Sequence, residues 1–195
     1  MQALKAIRKL GGLIKTKQAI SKGIHSRTLS HLVEVGELEQ ISRGVYRLTS
    51  KGPSSNPDLL TVAARIPKGV ICLISALSFH DLTTQIPHKV YVALDRKSES
   101  PRLEYPPLSI HRFSGKAFTE GIEKHMIDEV EVKVYNPEKT LADCFKFRNQ
   151  IGMDVVLEAM KLYQKNRKRN MKGLFHYAKI CRVDKVMTPY LEAMA

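Results

Sequence analysis

TKQAISKGIHSRTLSHLVEVGELEQISRGVYRL, residues 16–48, sets the architecture of the N-terminal quarter of this chain. Inside it, SRTLSHLVEVGEL (26–38) puts Leu29, Leu32 and Val33 at i, i+3 and i+4, one apolar stripe of a short helix. Gly36 stops that helix, and Ser26 is read as its N-cap. The other face carries Ser26, Arg27, Thr28, Ser30 and His31. Upstream, Thr16 is read as the cap of a second helix running to Lys22, with Ala19 and Ile20 inward and Gly23 as the turn. A first helix over 2–10 turns Leu4, Ile7 and Leu10 inward and ends at Gly11 and Gly12. Downstream, LEQI (38–41), the turn Ser42-Arg43-Gly44 and VYRL (45–48) read as a two-stranded ribbon with glycine in its tip.

Helix, helix, glycine turn, helix and β-ribbon is the order of a winged helix-turn-helix. In such a module the third helix enters a major groove, and small or basic residues at its N-terminus permit close approach. Arg27 suits a guanine edge, while Thr28, Ser30 and His31 suit bases or phosphates. Thr16, Lys17 and Gln18 would meet the DNA backbone, and Arg43 at the wing tip would follow a phosphate row or a minor groove. Two copies would occupy an inverted or direct repeat, because one such module reads only a few base pairs. A protein-contact role for the same trihelical module is the competing reading.

The charge agrees with a polyanionic partner. The 195 residues carry a formal net charge of +13. Residues 1–52 hold ten lysines and arginines against three glutamates, so the first quarter contributes over half of the excess. With 43% hydrophobic residues the chain can bury a core. No apolar run reaches the roughly 18 residues of a membrane span, and no secretory signal is visible at the N-terminus. Three widely spaced cysteines, Cys72, Cys144 and Cys181, fit buried thiols in a reducing, cytoplasmic setting.

KGPSSNPD (51–58) reads as a linker. The chain is thus expected to be α+β: a winged helix-turn-helix over 1–50, a linker over 51–58, and a larger mixed α/β domain over 59–195 ending in a helical C-terminus. In that domain a helix is expected over 57–65 and a buried helix over 70–82, with His80 at its exposed end. Strands are expected over 89–96, 108–114 and 129–136, the last with Val130, Val132 and Val134 on one face. A helix begins at Pro137 with Leu141, Ala142, Cys144 and Phe145 inward, and three more run over 152–166, 171–181 and 184–194. Residues 161–185 hold nine lysines and arginines and one acid, Asp184. The stretch Lys161, Lys165, Arg167, Lys168, Arg169 and Lys172 is a candidate second nucleic-acid surface, a surface for an acidic partner, or a solvated loop.

Signs of an enzyme are few. The sequence has no nucleophile elbow, no HExxH and no phosphate loop, and its seven histidines make no metal-ligand spacing, so neither metal nor cofactor is implied. Asp95 at a strand end with Glu131 and Lys133 of an ExK would suit a magnesium-dependent nuclease. The same EVEVKV pattern also arises when charged residues occupy the solvent side of a strand.

TKQAISKGIHSRTLSHLVEVGELEQISRGVYRL closely resembles the N-terminal domain of AbiEi-family antitoxins, the antitoxin half of bacterial type IV toxin–antitoxin (abortive infection) systems. Its most telling part is G-x-L-x-x-x-x-R-G-x-Y, Gly36 to Tyr46. SALSFHDLTTQIPHKVYVAL (75–94) and VYNPEKTLADCFKFR (134–148) are similar to the same family, so the resemblance covers most of the chain. It implies a DNA-binding repressor of its own operon, acting through Ser26, Arg27, Thr28, His31 and Arg43. It also implies a second domain that antagonises a nucleotidyltransferase-like toxin, with no stable complex required. The basic stretch from Lys161 to Lys172 is the candidate region for that antagonism on charge alone. The alternatives are the DNA-targeted, metal-dependent nuclease and a transcription factor with a ligand-sensing second domain.

Overall fold

The structure, a computed structural model, describes residues 2–49, 56–128, 130–167 and 169–193. They form two compact units. The first contains 1–67 with 103–106 and 124–132, and the second contains 68–102, 107–123 and 133–195. Residues 51–55 of the expected linker lie outside the described residues.

The first unit opens with α1 (Gln2–Lys9), β1 (Leu13–Lys15), α2 (Thr16–Ser21) and α3 (Ser26–Glu34). It continues with β2 (Leu38–Ser42), β3 (Val45–Leu48) and α4 (Pro57–Arg65). The ribbon is present as β2–β3, and β1, which has no signature in the sequence, adds to it. The antiparallel sheet runs β1-β3-β2, with Leu13 and Glu39 both opposite Arg47. Ile7, Ile14, Ala19, Ile24, Leu29, Leu38 and Leu48 make its core, with Leu4, Leu10, Leu32 and Val33 packed around them.

Several local expectations need correction. Ile20 does not face inward; it is 57% exposed, because α2 is too short to bury both of its adjacent apolar residues. Neither Thr16 nor Ser26 is an N-cap: each is the first helical residue, and the caps Lys15 and His25 use no side-chain bond. Gly36 does end α3, at φ +76°, a backbone conformation that costs glycine nothing. Gly44 occupies the tip of the β2–β3 hairpin at φ +71°, where an added Cβ would come within 3.1 Å of the Thr16 hydroxyl.

The second unit contains β4 (Val70–Ile71), α5 (Leu73–Phe79), β5 (Val90–Asp95), β6 (Leu108–Phe113) and α6 (Lys116–Thr119). β7 (Ile122–Ile127) and β8 (Val130–Tyr135), of which residues 124–132 belong to the first unit, come next in the chain, then α7 (Pro137–Lys146), α8 (Arg148–Ile151), α9 (Met153–Lys165), α10 (Met171–Cys181) and α11 (Asp184–Glu192). The sheet order is β6-β5-β4-β8-β7. It is mixed: β4 runs antiparallel to β5 but parallel to β8, and β5 and β6 are parallel. The expected helix over 70–82 is instead a two-residue strand and a short helix. Leu73 at φ +46° makes the corner, and the Cys72 amide is bonded to the Tyr91 carbonyl. His80 is not simply an exposed helix end, since its Nε2 lies 2.8 Å from the Tyr135 carbonyl oxygen.

α7 is the axis of this unit. Pro137 starts it, and the Asn136 side chain accepts from the Lys139 amide as its cap. Every residue from Glu138 to Phe145 is buried, so it has no solvent face. Lys139 and Asp143, both fully buried, pair at 2.5 Å, and the ammonium lies 4.2 Å from the Tyr135 ring centroid. The Cys181 thiol donates to the other Asp143 oxygen at 3.2 Å. Burial pushes the thiols of Cys72, Cys144 and Cys181 up from their ordinary range, as expected of inert interior cysteines.

Candidate nucleic-acid interface

Leu29 anchors α3: it is fully buried, and Leu32 and Val33 flank it against the same core. That fixes which way the helix is rolled. With the apolar stripe inward, Ser26, Arg27, Thr28, Ser30 and His31 are all exposed. Lys17 and Gln18 in the first turn of α2 and Arg43 at the hairpin tip are exposed as well. His31 makes only a loose 3.9 Å contact with Glu34, so the face contains no tight ion pair that DNA phosphates would have to displace.

Thr16 has a different position. Its amide donates to the Gly44 carbonyl at 2.9 Å and its hydroxyl donates to the same oxygen at 3.3 Å. It ties the start of α2 to the wing turn. Arg65 of α4 adds a brace, donating from Nη1 to the Arg43 carbonyl at 3.1 Å, which leaves the Arg43 side chain to solvent. Sequence reasoning missed Arg65, since nothing local links residue 65 to residue 43.

Arg47 shows the reverse. By charge it counts among the basic residues of the N-terminal quarter, yet its side chain is only 3% exposed. Its guanidinium donates to Glu39 at 3.0 Å and to Asp128 at 2.8 Å. Alternation in VYRL puts it on the face of Val45, opposite Tyr46 and Leu48, and sequence alone does not show the acids it meets.

In the second unit Lys161, Lys165, Arg167, Arg169 and Lys172 are exposed around the end of α9 and the start of α10, and Lys168 lies outside the described residues. Arg169 is partly held by a bond to the Gln164 carbonyl at 2.6 Å. The nuclease reading gains no geometry. β4 lies between the strands of Asp95 and Glu131. The Asp95 carboxylate accepts from the Lys97 amide at 2.9 Å, and Glu131 pairs with Lys124 at 3.1 Å. Among the described residues no group of three or more His, Cys, Asp or Glu is arranged to hold a metal ion. No described helix is long and apolar enough to cross a membrane.

Residues 1–49 match the family described as "Transcriptional regulator, AbiEi antitoxin". It covers the whole of the α1–β3 segment and none of the second unit. No curated protein matches the sequence. Among solved structures, the crystal structure of the RV2827C protein from Mycobacterium tuberculosis is similar, with a TM-score of 0.53 at 13% identity. That similarity covers 94% of this chain and 77% of the other, and at this identity it speaks for the fold alone.

Proposed function

We propose, from an N-terminal module that matches the AbiEi antitoxin regulators, that this chain is a bacterial, cytoplasmic antitoxin that represses its own operon. α3 is its recognition helix and β2–β3 its wing. Ser26, Arg27, Thr28, Ser30 and His31 face the major groove, Lys17 and Gln18 contact the backbone, and Arg43 follows a phosphate row or the minor groove. Thr16 keeps α2 and the wing in register for this contact. The observation that carries the reading is the roll of α3: burial of Leu29 turns Ser26, Arg27, Thr28, Ser30 and His31 toward solvent.

Two copies sit on an inverted or direct repeat as monomers or a weak dimer. The second domain antagonises a nucleotidyltransferase-like toxin in a type IV arrangement, without a stable complex. Lys161, Lys165, Arg167, Lys168, Arg169 and Lys172 are the candidate surface for this, supported by their charge and exposure. A gel shift on the DNA upstream of the gene, with unrelated DNA as competitor, tests the first half. Specific binding by the wild type and its loss in Arg27→Ala is the expected result. Binding indifferent to both DNA sequence and Arg27 would make the module a protein-contact domain. Growth rescue on co-expression with the neighbouring toxin gene tests the second half.

A further inference from the structure

A cavity of about 520 Å³ opens between α9, α10 and α11, within the second unit. Its volume falls inside the range of about 300–1,000 Å³ typical of small-molecule sites. Met160, Tyr163, Leu174 and Leu191 are buried and line it; Met171, at the start of α10, is 39% exposed. The Tyr163 hydroxyl adds no free polar group to that lining. It donates to Glu138 at 2.6 Å and accepts from the Asn170 amide at 2.7 Å. The buried part of the wall is the Tyr163 ring with aliphatic and thioether side chains, and the methionine chains adapt to an occupant's shape.

Gln164 and two cations, Lys165 and Arg169, complete the lining, and both cations are exposed. An apolar floor beneath two solvated cations is the complement of a molecule with an aliphatic chain and an anionic head. A nucleobase on this floor would set its hydrogen-bonding edge against Met160, Leu174 and Leu191, which offer it no partner.

We propose that the cavity between α9, α10 and α11 binds an aliphatic organic anion, its chain against Met160, Met171, Leu174 and Leu191 and its carboxylate on Lys165 and Arg169. This assignment is independent of DNA binding by the N-terminal module. It makes the basic end of α9 the head-group contact of a ligand site.

Isothermal titration of the full-length protein with decanoate below its micellar concentration tests it. One decanoate binds per chain. The double variant Lys165→Gln/Arg169→Gln weakens binding by about tenfold or more, as the loss of a charged contact of roughly 1.4 kcal/mol would. Met171→Trp fills the cavity mouth and reduces binding comparably. All three positions are solvent-exposed, and circular dichroism is expected to show each variant folded. Decanol, with the same chain and no charge, binds more weakly than decanoate. The proposal fails if decanoate does not bind saturably, or if the variants bind it as the wild type does. It fails equally if adenosine monophosphate displaces decanoate, since the basic rim would then serve nucleotides rather than an acyl chain.

Discussion

Arg47 of β3 and Asp128, in the turn after β7, form a charge pair at 2.8 Å in which the guanidinium is 3% exposed and the carboxylate 23%. A second bond of 3.0 Å runs from Arg47 to Glu39, the residue opposite it on β2. The basic residue nearest the middle of the wing sheet is therefore occupied by two acids. Asp128, seventy or more positions from the wing in sequence, is packed into the same compact unit.

The two partners should not be equivalent to mutation. Asp128→Ala takes one carboxylate away from a buried guanidinium, and breaking such a pair costs about 3 kcal/mol when the charge stays buried. Arg47→Met removes the buried charge itself, and Glu39 and Asp128 retain some access to water. Urea denaturation should show Asp128→Ala as the more destabilising. Equal losses, or a larger one for Arg47→Met, would mean that the packing of the Arg47 stem matters more than its charge.

DNA binding should separate the exposed arginines from Arg47. Arg27→Ala and Arg43→Ala each weaken operator binding by about tenfold, from roughly 1–3 kcal/mol for a good base contact or a comparable backbone loss. Neither changes the melting temperature, because both side chains are exposed. With ~4–6 phosphate contacts per monomer, the log–log slope of affinity against salt is about −4 to −5. A slope near zero in a fluorescence-anisotropy titration would rule out phosphate contact as the main source of affinity.

Inside the second unit, Asp143→Ala strands the fully buried Lys139 ammonium and costs about 3–5 kcal/mol. The Lys139→Met/Asp143→Leu double variant removes both charges and recovers most of that loss, because a hydrophobic pair of similar volume needs no desolvation of ions. A urea series on the single and double variants measures the difference. If the double variant is no more stable than Asp143→Ala, the Cys181 thiol bond and the aromatic contacts to Lys139 hold more of the stability than the pair.

His111 supplies a pH dependence. It is buried against the Tyr91 and Phe147 rings, and burial, then the nearby Lys89 charge, lowers its pKa below the ordinary 6.5. The folded state thus binds the proton less readily than the unfolded state. Stability from this group is complete above pH 6.5 and is lost as pH falls from there through the folded-state value. Melting temperatures of the wild type and His111→Gln, measured at neutral pH and about one unit below 6.5, isolate it. The gap between the two should shrink at the lower pH; a constant gap would show that His111 does not titrate in that window.

The legible parts of the fold are those with a full period. The stripe of α3, the hairpin about Gly44, α4 from Pro57 to Arg65, the strands β5, β6 and β8, and α9 to α11 all stand within a few residues of where the pattern puts them. The short or polar elements are not legible. β1 has three residues, too few to show alternation, and β7 (IEKHMI), at a sheet edge, has three polar residues in a row and no alternation. The run from Val70 to Ile74 is apolar throughout, so periodicity cannot tell its two strand residues from the helix that follows.

For the candidate interface, the exposed face of α3 follows from the sequence, because a buried stripe at i, i+3 and i+4 requires the intervening residues to face out. The same logic reads half of α7 wrongly. Lys139 and Asp143 look like a solvated i, i+4 pair, and only packing makes them an interior one, with Tyr135 and Cys181 from distant segments supplying their contacts. Periodicity records which residues share a face within about two turns of one element. Which charges are free to meet a polyanion, as Arg27 and Arg43 are and Arg47 is not, depends on contacts made across the chain, and those exist only once it has folded.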